Sequence, residues 1–368
     1  MEVSVATFTD TYLPTVNGVT YTISSWRDRF RSRGNRMDVV YPGSNYDPDP
    51  GEYPARSLPF PFYEGFRVGL PQVPRAVRDV DVVHAHSPFS LGVAGLRLAR
   101  EESLPFVVSY HTPTREYASY VVPGLLAGLV GSVSHRWERW FLERADLVIA
   151  PSEVTAEDLR TSLRTETTVR TLPNGVDTEL FRPVETEEFR NRYGLGNDRP
   201  LLGYTGRHGY EKNLDALLEA AADIDTTVVL GGEGPATESL RKLAADLGAD
   251  ARFLGFLDRE ELPEFYSAID VFGFPSPVET QGIVALESTA CGTPVVGVDA
   301  GALTETIDDG VTGYHYPEGD RSAFARKLDR AIENRSTLED RCLGRRESIS
   351  LDRSIDALES VYGSMLDR

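Results

Sequence analysis

Residues 279–301, ETQGIVALESTACGTPVVGVDAG, decide the fold of this chain. From Ile283 to Ala290 the apolar residues recur at helical spacing, whereas Val295–Val298 is a continuous apolar run typical of a buried strand. Between the two, Gly292 can take the left-handed conformation that ends a helix, and Pro294 prevents the helix from continuing. Because another buried-strand pattern precedes this stretch, we expect a strand, a loop, a helix and a strand, which is a βαβ unit.

The same stretch carries two carboxylates eight positions apart. Glu279 falls in the loop before the predicted helix, and Glu287 falls within the helix. At the helix start, the backbone N–H groups of Gln281, Gly282 and Ile283 have no partner within the helix, and the helix dipole favours an anion there. The lack of a side chain at Gly282 lets a ligand approach. The sequence therefore predicts an anion site, suited to a diphosphate, between two acids.

Strand and helix patterns alternate along all 368 residues, which predicts an α/β architecture with parallel strands. The pattern restarts after a linker-like region near residue 181. We therefore expect two tandem Rossmann-like, doubly wound domains, residues 1–180 and residues 181–351, each large enough to bury its own core. The helical pattern of residues 352–368 is a candidate for packing back on the first domain. Ligands of such folds bind beyond the carboxyl ends of the strands, so we expect the site in a cleft between the domains.

The composition narrows the class of protein. Acidic residues (57) exceed basic residues (38), and the net charge of −19 argues against sequence-independent binding of nucleic acid. Lys occurs only at 212, 242 and 327, so nearly all basic residues are Arg, which indicates a salt-adapted (halophilic) or GC-rich source. The two cysteines show no metal-ligand spacing and suit a reducing cytoplasm. With no signal peptide and no membrane span in the sequence, we expect a cytoplasmic protein.

The charge is unevenly distributed. Residues 1–150 contain 15 Arg and 16 acids, a net charge of −1, which leaves −18 of the total −19 for the rest of the chain. This nearly neutral half has apolar and aromatic stretches at 57–71 and 121–133, followed by Trp137 and Trp140. Such surfaces suit a peripheral contact with the inner face of the cell membrane. An exposed Arg-studded helix, and burial of the apolar stretches in the core, are the alternatives.

Seven further motifs follow one another along the chain. They are FTDTYLPTVNGV at 8–19, VVHAHSPF at 82–89, SYHTPTREYASY at 109–120, LPNGVDTELF at 172–181, GYTGRHGYEKN at 203–213, GGEGP at 231–235 and FLGFLDREELPEFYSAIDVF at 253–272. Together with the segment Glu279–Glu287, they resemble the retaining glycosyltransferases of the GT-B fold in the large glycosyltransferase 4 family. The resemblance covers essentially the whole chain and is nearest to diacylglycerol glucosyltransferases and lipid mannosyltransferases.

The resemblance implies roles for four charged residues of the second domain. Arg207 and Lys212 would clamp the diphosphate of a nucleotide sugar and stabilise the charge of the leaving nucleotide without a metal. Glu287 would accept hydrogen bonds from the ribose hydroxyls. Glu279 would lie near the transferred sugar, where it would hold hydroxyls, stabilise positive charge at the anomeric carbon or act as a nucleophile.

Uncharged groups of the site are also implied by the resemblance. His111 would contact the sugar, at its primary hydroxyl. Gly18, which follows Asn17, would let the first loop approach the diphosphate or the acceptor, with a plain tight turn as the alternative. The backbone around Gly255 and Phe256 would contact the base.

No cofactor and no metal are expected. His84 and His86 are two positions apart, as metal ligands can be, but a third ligand is missing, so a structural or acceptor-side role is expected for both. The Asp-x-Asp triplets at 47–49, 79–81 and 223–225 are short enough to recur by chance in so acidic a chain.

These features predict a retaining glycosyltransferase that moves a hexose from a nucleotide sugar to a lipid or polyprenol-linked acceptor. UDP-glucose is narrowly preferred over GDP-mannose as the donor. Two alternatives stay open: a nucleotide-sugar epimerase of the same two-domain shape, and a transferase that uses a soluble sugar acceptor. A non-catalytic sensor of nucleotide sugars is disfavoured because the charged residues of the site are all present.

Overall fold

The computed structural model describes residues 2–59, 67–111, 125–196 and 198–367, with the backbone alone for 125–132. The chain forms two compact units: Met1–Gly175 together with Leu351–Arg368, and Val176–Ser350. Each unit is built on a parallel sheet of its own, and a separate pair of short strands is antiparallel. The predicted class, two Rossmann-like α/β domains with doubly wound sheets, is confirmed.

The sheet of the first unit has seven strands. They are β1 (Ser4–Phe8), β2 (Arg36–Pro42), β3 (Glu52–Ala55), β6 (Val82–Ala85), β7 (Phe106–Ser109), β8 (Leu147–Ala150) and β9 (Val169–Thr171), and the antiparallel pair is β4 (Ser57–Pro59) and β5 (Arg67–Gly69). Their order in the sheet is β3-β2-β1-β6-β7-β8-β9. The order reverses between β1 and β6, the kind of position where open α/β sheets bind ligands.

The helices of the first unit include one from the C-terminal end of the chain. Those in the described part of the unit are Gly18–Ser32, Ser90–Glu102, Leu125–Leu142, Glu153–Thr161 and Leu351–Leu366, with a 3-10 turn at Arg75–Val77. Ile355, Leu358 and Tyr362 of the last helix are buried in one hydrophobic cluster with Trp26 and Phe30 of the first helix. Within the described ranges, no helix is both long enough and apolar enough to cross a bilayer.

The second unit has a six-stranded sheet. Its strands are β10 (Leu201–Thr205), β11 (Thr227–Gly231), β12 (Ala251–Gly255), β13 (Val271–Phe274), β14 (Val295–Val298) and β15 (Gly313–Tyr316). The order is β12-β11-β10-β13-β14-β15, so it reverses between β10 and β13. The helices are Glu187–Tyr193, Leu214–Ala221, Thr237–Leu247, Leu262–Ala268, Ile283–Ala290, Leu303–Thr306, Arg321–Glu333 and Arg335–Gly344, with 3-10 turns at Tyr210–Lys212 and Arg259–Glu261.

The decisive stretch folds as its sequence predicts. A helix spans Ile283–Ala290, and β14 follows at Val295–Val298. Gly292 has a φ of 86°, the left-handed conformation expected of it. The N–H of Thr293 then donates to the carbonyl of Ser288 at 3.0 Å, which satisfies one of the orphan carbonyls at the helix end.

The two ends of the second unit lie side by side. The N–H of Val176 donates to the carbonyl of Ile349 at 2.9 Å, and Val176 forms a parallel bridge with Ser350. The chain therefore enters and leaves this unit at one place.

Candidate functional site

The loops after β10 and β13 carry the charged residues that the sequence points to in the second unit. The two strands are adjacent and parallel. Arg207 and Lys212 follow β10, whereas Glu279 and the helix Ile283–Ala290 follow β13. The structure therefore brings these groups to the carboxyl ends of neighbouring strands, where the strand order reverses.

Lys212 and Glu279 are in direct contact. The Nζ of Lys212 donates to Oε1 of Glu279 over 2.6 Å, and each side chain is only 14% exposed. A charge-assisted bond between two largely enclosed groups is stronger than an ion pair on the open surface. The bond joins the loop after β10 to the loop after β13.

Arg207 is held by a buried acid. Its Nη2 donates to the carboxylate of Glu211, which is buried, while the Arg207 side chain is 37% exposed. The Arg207 side chain is therefore fixed by a buried carboxylate and is itself partly exposed to solvent. A guanidinium fixed in this way is suited to a bidentate contact with a phosphate group. Glu211 has no predicted role from sequence, although it lies in the motif at 203–213.

Two glycine-containing loops, one after β10 and one after β11, are in backbone contact. Gly232 has a φ of 103°, and a Cβ there would lie 2.0 Å from the carbonyl oxygen of Gly206. A Cβ at Gly234 would lie 2.5 Å from the carbonyl oxygen of His208. Glycine is required at both positions, because any side chain would push the loops apart.

His208 fixes the loop that carries Arg207. Its ring is buried, with Nδ1 2.9 Å from Oγ1 of Thr237 and Nε2 3.3 Å from the carbonyl of Gly231. Burial lowers the pKa of His208, which favours the neutral ring. No role for this histidine is predicted from sequence, and its place next to Arg207 is the signal that could have identified it.

The helix Ile283–Ala290 begins at a glycine that both backbone and packing require. Gly282 has a φ of 75°, and a Cβ there would lie 2.8 Å from Cδ2 of Leu303. Gln281 is buried, and its carbonyl accepts a hydrogen bond from Thr306. The amide of Ala285 donates to the carbonyl of Gly282 at 2.9 Å, and the start of the helix, at the positive end of its dipole, suits an anion.

Glu287 is more deeply buried than Arg207, Lys212 or Glu279. It is 3% exposed, and its Oε2 accepts a hydrogen bond from the Tyr266 hydroxyl at 2.9 Å. Nη1 of Arg259 lies 3.9 Å from its Oε1. Burial raises the pKa of Glu287, whereas Arg259 and Tyr266 act to lower it. Both partners belong to the motif at 253–272, which gave no role for either from sequence.

Gly255 and Phe256 lie at the same edge of the sheet but further along it. Gly255 ends β12 with a φ of 76°, and its carbonyl accepts from the N–H of Gly232 at 2.6 Å. Phe256 is 58% exposed. Because β11 lies between β12 and β10, this pair is two strands away from the strand that leads to Arg207.

In the first unit, Asn17 serves as a helix cap. Its side chain accepts from the N–H of Thr20 at 3.0 Å and donates to Oγ1 of Thr11 at 2.8 Å. Gly18 is the first residue of the helix Gly18–Ser32 and does not use a positive φ. The loop after β1 is therefore fixed by side-chain hydrogen bonds at its junction with the helix.

Three histidines occupy the ends of β6 and β7. Nδ1 of His86 lies 2.8 Å from Nε2 of His111, and the two rings are inclined by only 8°. His84 contacts the Tyr362 hydroxyl at 2.7 Å and Oγ of Ser109 at 2.9 Å. Burial lowers the pKa of His84 to about 3 and that of His111 to about 4. The three rings are therefore neutral packing and hydrogen-bonding groups near neutral pH.

The described residues hold no group of three His, Cys, Asp or Glu side chains arranged to bind a metal ion.

The aromatic surface expected near a membrane is described in part. Residues 121–124 and 60–66 lie outside the described residues, and the side chains of 125–132 are likewise outside them. Trp137 and Trp140 stack with ring centroids 4.7 Å apart, and Trp137 is 40% exposed. The guanidinium of Arg144 lies 4.0 Å from the centre of the Trp140 ring. This part of the first unit thus presents indole rings beside arginine.

Each of the two units matches a known family model over most of its length. The family model described as Glycosyltransferase Family 4 matches residues 16–180, and the model described as Glycosyl transferases group 1 matches residues 185–343. Among solved structures, the chain is similar to sucrose-phosphate synthase from Thermosynechococcus elongatus, with a TM-score of 0.79 and 22% identity over 100% of both chains. It is also similar to Anabaena HepE, with a TM-score of 0.79 and 19% identity over 98% of this chain and 100% of the other. These likenesses show the GT-B fold.

Relatives identified by sequence have names that specify a reaction, which the family descriptions do not. The chain is 30% identical to alpha-monoglucosyldiacylglycerol synthase of Streptococcus pneumoniae, over 84% of this chain and 74% of the relative. It is 31% identical to a GDP-mannose-dependent alpha-mannosyltransferase of Mycobacterium tuberculosis, over 90% of this chain and 87% of the relative. The matching family models and these two relatives show that the chain belongs to glycosyltransferase family 4 and is a glycosyltransferase of the GT-B fold.

Proposed function

We propose that this glycosyltransferase moves a hexose from a nucleotide sugar to a lipid or polyprenol-linked acceptor, with retention at the anomeric carbon. The observation that carries the proposal is the contact between Lys212 and Glu279 at the strand ends, on the loops that also carry Arg207 and the start of the helix Ile283–Ala290. A departing diphosphate needs positive charge, and these loops supply a lysine, an arginine and a helix N-terminus.

The proposed reaction breaks the bond between the anomeric carbon and the phosphate oxygen. A new bond forms from the acceptor hydroxyl to the same face of the sugar, and the acceptor proton leaves with the diphosphate. Arg207 and Lys212 stabilise the charge that develops on the leaving nucleotide without a metal. The carboxylate of Glu279, held by Lys212, supports positive charge at the anomeric carbon.

We infer UDP-glucose as the donor ahead of GDP-mannose. The pneumococcal relative is named for a glucosyl lipid, whereas the mycobacterial relative is named for GDP-mannose, so each donor has support. A panel of nucleotide sugars assayed for slow hydrolysis without acceptor tests the choice. We expect UDP-glucose to be hydrolysed fastest and to raise the melting temperature. Failure of every nucleotide sugar in both assays would overturn the proposed function.

A lipid acceptor is supported by the name of the pneumococcal relative and by the indole rings of Trp137 and Trp140 on the first unit. The test supplies the identified donor with dispersed diacylglycerol, with polyprenyl phosphate or with soluble sugars, and follows transfer of a radiolabelled hexose. We expect label in the lipid fraction. Transfer to soluble sugars alone would refute the lipid acceptor but not the glycosyltransferase.

The nucleotide-sugar epimerase that the sequence left open is disfavoured by membership of glycosyltransferase family 4. Incubation with UDP-N-acetylglucosamine alone separates the two. We expect no epimer, and formation of one without an acceptor would favour the epimerase.

A further inference from the structure

The hydroxyl of Tyr266 and the carboxylate of Glu287 form a buried contact beside the proposed diphosphate site. Tyr266 belongs to the helix Leu262–Ala268 and is 0% exposed. Its hydroxyl donates to Oε2 of Glu287 at 2.9 Å. Burial raises the pKa of Tyr266 well above its ordinary value, so the phenol keeps its proton and remains a donor. Oε2 of Glu287 therefore accepts a hydrogen bond from a buried hydroxyl that stays protonated.

Arg259 approaches the other oxygen. Its Nη1 lies 3.9 Å from Oε1 of Glu287, and its side chain is 19% exposed. The guanidinium also lies over the ring of Phe181, with its central carbon 5.3 Å from the ring centre. Because Tyr266 engages Oε2 and the nearest guanidinium nitrogen stands 3.9 Å from Oε1, beyond normal hydrogen-bond length, Oε1 is the oxygen that Tyr266 leaves for a ligand.

Two further groups near Glu287, among the residues that the structure describes, add no negative charge. Cys291 lies one turn further along the same helix region, and burial raises the pKa of its thiol, so it stays neutral. The guanidinium of Arg346 is occupied by the carbonyls of Phe181, Ala290 and Thr178. Among the described groups, Arg259 is the charge and Tyr266 the hydroxyl that act on Glu287.

We propose that Tyr266 is a positioning residue for ribose recognition, since its hydrogen bond holds Glu287 so that Oε1 faces the ribose hydroxyls. The inference rests on the proposed function, in which Glu287 binds the ribose of the donor. The hydroxyl has a second effect. A hydrogen bond to the charged form favours ionisation of a buried acid, and an ionised carboxylate is the stronger acceptor.

Tyr266→Phe removes only the hydroxyl and tests the proposal by calorimetry. The probes are UDP and GDP, each compared with its 2′,3′-dideoxy counterpart. We expect the substitution to weaken binding of the preferred ribonucleotide about tenfold, the scale of one hydrogen bond to a charged group, and to leave the dideoxy form unchanged. Tyr193→Phe is the matched control, because the Tyr193 hydroxyl lies 3.5 Å from the carboxylate of Glu261 in the same unit. We expect Tyr193→Phe to change neither the affinity for the ribonucleotide nor that for its dideoxy counterpart.

The pH dependence of kcat/KM for the donor gives a second readout. Loss of the hydroxyl raises the pKa of Glu287, so the loss of activity on acidification begins at higher pH in Tyr266→Phe than in the wild type. Glu287→Gln removes this acid limb. Equal weakening of ribo and dideoxy forms, or an unmoved acid limb, would assign Tyr266 to packing and overturn the proposal. Equal wild-type affinity for both forms would also overturn it, by excluding Glu287 from ribose binding. If the wild type neither binds a nucleoside diphosphate nor releases one from a nucleotide sugar, the proposed function itself is refuted.

Discussion

The Nζ atom of Lys212 lies 2.6 Å from Oε1 of Glu279, although the two residues are 67 positions apart. Each side chain is 14% exposed, so the two opposite charges meet in a largely enclosed position. Removal of one partner leaves the other charge without this compensation. The pair therefore couples the residue proposed to bind the diphosphate to the residue proposed to face the sugar.

We expect Lys212→Ala to lower nucleotide release from the donor by about 100-fold or more, the scale of losing one group that stabilises developing negative charge. The assay measures free nucleoside diphosphate. Lys242→Ala, which removes an exposed lysine of the same unit, is the control and should keep the wild-type rate. An unchanged rate in Lys212→Ala would exclude Lys212 from the site.

Gly232→Ala should damage donor binding as well as stability. The new Cβ would lie 2.0 Å from the carbonyl oxygen of Gly206, at a φ of 103°, so the loop that carries Arg207 must shift. Gly248→Ala is the control, because its φ of 65° brings strain but no atom lies within 4 Å of the new Cβ. We expect the control to lose about 1 kcal/mol of stability and to bind the nucleotide normally. Equal affinity in the two variants would contradict this account of the glycine contact.

The buried histidines make the first unit sensitive to acid. Burial lowers the pKa of His84 to about 3 and that of His111 to about 4, from an ordinary value of 6.5. Between these values and 6.5 the unfolded chain binds protons that the folded chain does not, so stability falls as the pH falls. We expect the melting temperature to drop between about pH 7 and about pH 5. His84→Gln should reduce this dependence, whereas His135→Gln, at a partly exposed site where the ring contacts the carbonyl of Ser162, should preserve it. A dependence unaffected by His84→Gln would contradict the assignment.

Apolar packing, more than charge, should hold the C-terminal helix on the first unit. Ile355 is 0% exposed, so Ile355→Ala is expected to cost about 2–5 kcal/mol of the free energy of unfolding. Asp356, whose side chain is 69% exposed, pairs with Arg33 at 2.5 Å, and Asp356→Ala should cost about 1 kcal/mol or less. Urea unfolding of both variants measures the difference. A larger loss for Asp356→Ala would reverse the ranking.

Trp137→Glu should weaken binding to anionic vesicles about tenfold, because it replaces apolar surface by a like charge at a proposed membrane contact. Trp137 is 40% exposed and Val133 is 61% exposed. Leu366→Glu, at a residue that is 37% exposed on the C-terminal helix, is the control and should bind as the wild type does. Vesicle sedimentation at moderate salt is the measurement. No binding by the wild type would contradict peripheral association.

The regular elements were largely predictable because parallel strands buried on both faces leave a strong local pattern. The strand Val295–Val298 is found at its predicted bounds, and Gly292 takes its predicted conformation. The placement of Arg207 and Glu279 on neighbouring strand ends follows from the doubly wound strand order rather than from either motif alone.

The buried polar partners could not be predicted in the same way. Glu211, His208 and Tyr266 are polar residues that local patterns assign to a surface as readily as to a core, yet all three are buried. The partners of His208 and Tyr266 lie on other helices, Thr237 and Glu287, whereas Glu211 holds Arg207 of its own loop. Such contacts depend on how the loops pack, and no residue spacing specifies that packing.

The parallel bridge between Val176 and Ser350 makes the second unit an insertion with adjacent ends. Because backbone pairing holds its first and last residues together, a segment of this kind can be expressed separately, and no linker is needed to connect its two ends. Residues 176–350 are thus a natural module for exchange between relatives, and the proposed function predicts that the exchange transfers the choice of nucleotide while the other 193 residues stay unchanged.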